Sequence, residues 1–289
     1  MSKCSLKLFF TLFADDSTLT YTSSLSINHA RKIIEKELKK VLVWLAANKL
    51  IINLNKTHLM VFTNSRRYNS EKFITIKAND QIISEITETK FLGVILDNKL
   101  VWDAHIKHIS NKMSKSVAIL KLLKHTFPTS ALKTIYHSLI YPYFNYCNLI
   151  WGSAASTHLE SLTLIQKKCI RIISKVGYYD HTEPLFNEQK ILTVPKIYNY
   201  NCTKFIFQCY NYSTYSNFKS KLKKNSDFHN YDTRNKNSLR KPYSRLKKFT
   251  NSFLYNGIDK WNHLPDRIKT LSSFDSFKIL KKKHTLCSI

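Results

Sequence analysis

Glycine and proline are scarce in this chain, at 4 and 6 of 289 residues. Tight turns and hairpin-rich barrels lean on both residues, so helices with some sheet are the better expectation. Carboxylates are also few, 19 against 46 lysines and arginines. No two of the cysteines Cys4, Cys147, Cys169, Cys202, Cys209 and Cys287 stand in a C-x-x-C spacing. That excludes a readable zinc site or disulfide framework and leaves buried thiols as the default. No apolar run is long enough to span a bilayer. The run Leu6–Ala14 is broken by Lys7 and Thr11 and ends in Asp15-Asp16, unlike a cleavable leader. The expected location is therefore intracellular, nuclear or cytoplasmic, with no membrane partner.

What remains is apolar and cationic. Hydrophobic residues make up 43% and aromatics 13%, enough for a real core, and the formal net charge is +27. Such a field favours nucleic acid or an anionic surface. The bland alternative is codon bias, since the chain is also rich in Asn, Ile, Tyr and Phe.

Along the chain, residues 6–13 read as a buried strand and 17–22 as a second strand, with Ala14-Asp15-Asp16 at a hairpin tip. Asn28 is a fair cap for a helix in which Ala30, Ile33, Ile34, Leu38, Val41, Leu42 and Leu45 recur at helical spacing. Short strands are expected at Ile51–Leu54, Leu59–Phe62, Phe73–Ile76 and Phe91–Leu96. Trp102, Ile106, Ile109, Met113, Val117 and Leu120 mark an amphipathic helix, ended by Pro128. Ser130 can cap a second helix to about Pro142. A third spans roughly 157–175, with Leu159, Leu162, Ile165, Cys169, Ile172 and Ile173 on one side. Residues 178–215 are mixed and aromatic, 216–250 read as an exposed basic linker, and a helical piece with Phe253, Trp261, Ile268, Phe274, Phe277 and Leu280 closes the chain.

Two adjacent Asp repel each other, and a hard divalent cation relieves the conflict. By itself the pair is commoner at a solvated turn. Its context is more specific. Phe13-Ala14-Asp15-Asp16 is followed by Asn53-Leu54-Asn55-Lys56-Thr57, by Phe91-Leu92-Gly93-Val94 with Leu96-Asp97, and by Trp102 with His105-Ile106. Tyr141-Pro142, Trp151-Gly152, Gln166-Lys167-Lys168-Cys169, and Trp261-Asn262-His263-Leu264-Pro265 with Phe277-Lys278 come after. In order and spacing these resemble the reverse transcriptases of jockey-like non-LTR retrotransposons, over nearly the whole chain. No chemistry attaches to the last block, whose Trp261 and Leu264 read as packing residues.

That resemblance implies an α+β fold: an incomplete reverse-transcriptase palm over 1–100, a helical thumb-like region over 101–177 and a helical, irregular basic region over 178–289. It implies Asp15 and Asp16 as catalytic ligands of Mg²⁺, and Lys56 beside an incoming triphosphate, where the bland reading is a surface lysine. It also implies Phe91, Leu92, Gly93 and Val94 as a hairpin gripping the primer. The partners would be an RNA template and a DNA primer. Lys107, Lys112, Lys115, Lys121 and Lys124, with Lys167, Lys168, Arg171 and Lys175, would contact nucleic-acid backbone without reading sequence. The family places a further metal-binding Asp and the fingers before the Asp-Asp hairpin, which here begins at residue 13. A truncated polymerase, inactive alone, is therefore the first expectation. The alternatives are a non-catalytic nucleic-acid-binding remnant and, third, a secreted or membrane-surface protein.

Overall fold

The computed structural model describes residues 7–63, 74–78, 81–212, 216–228 and 231–287. The expected contributions of Leu6 to the first strand and Phe73 to a later one lie outside them. The architecture is mixed α and β, in two compact units, Met1–Leu100 and Val101–Ile289.

The first unit holds three antiparallel hairpins and one long helix. Strand β1 (Phe9–Phe13) pairs with β2 (Asp16–Thr20), β3 (Thr75–Ala78) with β4 (Gln81–Ser84), and β5 (Glu88–Phe91) with β6 (Val94–Asp97). Helix α1 (Ile27–Ala47) starts two residues earlier than Asn28 suggests: Ser26 is its cap, and its hydroxyl accepts from the His29 amide at 3.3 Å. The core of this unit is Leu38, Ile76, Ala78 and Ile83, with Leu19, Ile34, Leu42, Leu54 and Leu59 packed against it.

Several strand expectations fail here. Residues 51–54 form no strand, and Ile51 is 97% exposed. Leu59–Phe62 shrinks to a single bridge, Leu59 to Glu85. A run of four apolar residues has too little period to separate strand from loop. The first strand is not buried either: Phe9, Leu12 and Phe13 are exposed, because among the described residues β1 pairs only with β2.

The second unit is helical. Helices α2 (Asp103–Leu122), α3 (Thr129–Leu139), α4 (Tyr141–Asn145), α5 (Asn148–Trp151) and α6 (Ser156–Ile173) come first. Then follow α7 (Glu183–Glu188), α8 (Val194–Asn211), α9 (Ser216–Lys219), α10 (Lys247–Thr250), α11 (Phe253–Asn262), α12 (Asp266–Lys269) and α13 (Phe274–Cys287). The periodic face of α2 is buried as expected, through Ile106, Ile109, Met113 and Leu120, and it packs on α6. Pro128, not Ser130, occupies the cap position of α3, since proline fixes the extended backbone there. Helix α8 packs on α4, α5 and α6 and also on α11 and α13.

Three residues of the quoted blocks have structural duties. The Gln166 amide donates to the Tyr136 hydroxyl (3.0 Å) and the Leu192 carbonyl (2.8 Å) and accepts from the Val194 amide (2.9 Å). One buried side chain thus ties α6 to α3 and to the start of α8. A Cβ on Gly152 would meet the Asn148 carbonyl and the Tyr198 ring, both at 2.5 Å, so only glycine lets α5 and α8 approach this closely. Asn262 donates to the Leu239 carbonyl (2.8 Å) and accepts from the Leu239 amide (2.9 Å). That last clamp corrects the linker reading of 216–250. Leu222 and Leu239 are buried in a cluster with Phe207, Ile258, Trp261, Leu264 and Phe277, so two leucines anchor an otherwise polar segment. Trp261 and Leu264 are packing residues, as read.

Of the thiols, Cys147 is only half-buried. Cys169, Cys202 and Cys209 are buried and free, and burial pushes Cys169 and Cys202 up to about 12, far from thiolate reactivity. His105 is buried against Trp151, with ring centroids 5.7 Å apart. Burial, then the charge of His108, pushes it down to about 4. An unfolded histidine titrates near 6.5, so between these values the unfolded chain binds more protons and stability falls as pH drops. The loss from pH 7 to below 4 is up to about 3 kcal/mol. Urea unfolding of the wild type and His105→Gln at pH 7 and pH 4.5 measures it. The variant should lose clearly less stability over that interval; equal losses would remove His105 as the cause.

Candidate nucleic-acid and carboxylate site

The carboxylate pair sits where the sequence put it. Phe13 pairs with Asp16, leaving Ala14-Asp15 as a two-residue loop, with Ala14 held at φ 51°. Asp15 and Asp16 are both exposed. Left-handed backbone at a non-glycine residue costs roughly 1–2 kcal/mol. The loop is thus a strained one that carries Asp15, with Asp16 beside it at the start of β2.

Lys56 lies on a short 3₁₀ turn, Leu54–Lys56. The Asn53 carbonyl accepts from the Lys56 amide (3.1 Å) and the Thr57 hydroxyl (2.8 Å). The Asn-x-x-Lys-Thr spacing therefore builds its own turn and leaves the lysine exposed. Leu54 and Leu59, on either side of that turn, pack on the same small core as Leu19 of the acid hairpin. The two motifs, 40 residues apart in sequence, share one seat.

The third motif is a hairpin as well, so the single strand expected over Phe91–Leu96 is two strands. Phe91 pairs with Val94 across Leu92 (φ 44°) and Gly93 (φ 82°), two positive values that define a type I′ turn. Its base is tied to the lysine segment: the Ile86 amide donates to the Leu59 carbonyl at 2.8 Å, and the Asn98 amide to Thr87 at 2.9 Å. Lys56, Gly93 and the acid hairpin thus all belong to the first unit.

Metal capacity is partial. Carboxylate oxygens suit Mg²⁺. Among the described residues, however, no group of three or more His, Cys, Asp or Glu could hold a metal ion. Two carboxylates do not fill a two-ion site.

In the second unit the lysines of α2 and α6 divide by role. Lys112, Lys115 and Lys121 are exposed. Lys107 is paired with Asp103 at 2.7 Å. Lys124 donates to the Val176 carbonyl at 2.9 Å, so it ties the end of α2 to the segment after α6. Lys168 and Lys175 are exposed; Lys167 is half-buried. Arg171 donates from Nε to the Asp180 carbonyl (2.9 Å) and lies 5.9 Å from the Tyr178 ring centre. The apolar face of α6 is committed to the core, so these cations line its other side. No helix among the described residues is long and apolar enough to cross a membrane.

With this geometry in view, comparison with known proteins relates the chain to the RNA-directed DNA polymerases of non-LTR retrotransposons. It is 29% identical over 188 residues to the RNA-directed DNA polymerase from the mobile element jockey of Drosophila melanogaster, 64% of this chain and 20% of that protein. It is 27% and 26% identical over 191 residues to the probable RNA-directed DNA polymerases from transposon X-element and transposon BS of the same fly. Those matches cover 65% of this chain and 20% and 21% of the relatives, so the chain spans about a fifth of their length. No family profile and no solved structure matches it.

The turn at Leu92-Gly93 yields a direct check. Gly93→Ala puts a Cβ on a positive-φ residue and should destabilise the first unit by about 1–2 kcal/mol. Chemical denaturation followed by circular dichroism reads it. A change below about 0.3 kcal/mol would mean the turn is not type I′ in solution.

Proposed function

We propose that this chain is part of an RNA-directed DNA polymerase of the non-LTR kind. Residues 1–100 supply a portion of the palm, with Asp15 and Asp16 as Mg²⁺ ligands, Lys56 toward the triphosphate and the Phe91–Val94 hairpin against the primer. The helical unit, from thumb to C-terminal region, holds the RNA template and DNA primer by their backbones. The observation that carries this reading is the common seat of the acid hairpin and the lysine turn, through Leu19, Leu54 and Leu59. Kinship with mobile-element polymerases supports it.

When bound, Mg²⁺ would neutralise phosphate charge beside Asp15 and Asp16. The chain's own contributions are simpler. The strained loop holds two acids in one place, the type I′ turn lets backbone approach a strand closely, and exposed lysines attract phosphates.

The two-carboxylate limit favours a second reading for the chain acting alone, a non-catalytic binder of nucleic acid. Both readings require backbone binding. An RNA–DNA hybrid should bind with an affinity that falls linearly on a log–log salt plot. Replacing Lys112, Lys115 and Lys168 together by Gln should reduce that slope by roughly 2–3. Fluorescence anisotropy measures both, and an unchanged slope would dismiss these lysines as contacts. The purified chain should give no Mg²⁺-dependent primer extension; extension would mean the two acids suffice.

A further inference from the structure

A cavity of about 260 Å³ opens between α8, α11 and α13, lined by Lys196, Asn199, Lys260, His263, Leu264, Lys281, His284 and Thr285. Its lining holds three lysines and two histidines and not one carboxylate. Lys281 is only 6% exposed, and among the described residues it has no carboxylate within ion-pair distance. Lys260 is half-buried and makes no ion pair within 4 Å among them, though its charge also acts on Asp259. The nearby acid on α11, Asp259, is engaged elsewhere, by the Lys241 ammonium, with the His263 ring nitrogen 3.8 Å away.

Burying an ammonium without a counter-charge is costly, and gathering further cations around it adds repulsion. The strain shows in the titration of the group: burial, then Lys260, pushes Lys281 down to about 8. Burial, then Lys281 and Arg267, also lowers His284. An anion in the cleft removes both penalties at once. The donors suit a tetrahedral oxyanion: the Lys260 and Lys281 ammoniums, each with three N–H groups, and the Asn199 amide, with the Thr285 hydroxyl alongside. That hydroxyl spends its proton on the Lys281 carbonyl (2.8 Å), so the lysines and Asn199 carry the recognition.

We propose that this cleft is a phosphate-binding site, with Lys281 as its buried cation and Lys196 and Lys260 as half-buried ones. It lies wholly in the helical unit and does not depend on the polymerase reading. It gives a role to the block Trp261–Pro265: Trp261 and Leu264 pack the core, and that packing sets Lys260 and His263 at the cleft.

The probe is inorganic phosphate, titrated calorimetrically into the full chain at fixed ionic strength set with chloride. Wild type should bind it. Lys281→Met, which keeps the volume and removes the charge, should weaken affinity at least tenfold, and Lys260→Gln several-fold. Should Lys281→Met fail to fold, Lys260→Gln and Lys196→Gln carry the test, since both side chains are half-buried at most. No phosphate binding above that of chloride, or unchanged affinity in the folded variants, would overturn the proposal. Competition then identifies the source. Displacement only by a 5′-phosphorylated oligonucleotide marks a terminal phosphate, displacement by its 5′-hydroxyl form as well marks backbone phosphates, and displacement by neither marks free phosphate.

Discussion

In the first unit, charged groups that repel one another or water-seeking groups must be held in place by very little hydrophobic material. Four buried residues, Leu38, Ile76, Ala78 and Ile83, form the seat, and Leu19, Leu54 and Leu59 dock upon it from two separate motifs. An isolated two-stranded hairpin is marginal in water. The loop bearing Asp15 and Asp16 adds the cost of Ala14 in left-handed backbone and of two adjacent carboxylates. Leu19, packed on the seat, and the buried Leu8 at the start of the hairpin help to offset these costs. The same seat fixes the lysine turn through the leucines on both sides of Lys56, so loss of that apolar contact would free acids and lysine together.

The second unit solves a different problem, a large excess of cations. Its helices commit one face to packing, and the lysines are left on the other. Most remain in water, where self-repulsion is screened within about 8–10 Å at ordinary salt. Some are satisfied by backbone carbonyls, as Lys124 is by Val176. Lys281 is buried and, among the described residues, has no carboxylate partner, and its cleft stands out for that reason.

How much of this could be read from sequence depended on the range of the signal. Period-3.6 patterns in α2 and α6 gave helices close to the observed ones, because Ile106, Ile109 and Met113 repeat on one face. The acid hairpin was readable because its turn is two residues and its motif is local. Helix α8 was missed: its residues are buried nearly all round, so Ile197, Cys202, Ile206 and Cys209 are not set off by a polar stripe. The glycine hairpin is legible only through the resemblance; the apolar pattern of 91–96 alone reads as one strand, since Leu92-Gly93 is not the usual Asn-Gly signal. The anchoring of the polar segment 216–250 rested on two leucines and on Asn262, contacts that no local window contains. The phosphate cleft was invisible for the same reason, since Lys196, Lys260 and Lys281 meet only when three helices pack. Roles in metal, primer and triphosphate binding came from resemblance alone.

The shared seat makes the acid hairpin and the lysine turn energetically one object. A double-mutant cycle of Leu19→Ala and Leu54→Ala, read by chemical denaturation, addresses it most directly. Residues packed on one small core should couple by 0.5 kcal/mol or more, on the order of values known for contacting pairs. Losses that add within about 0.3 kcal/mol would show two independent surface features and contradict the account.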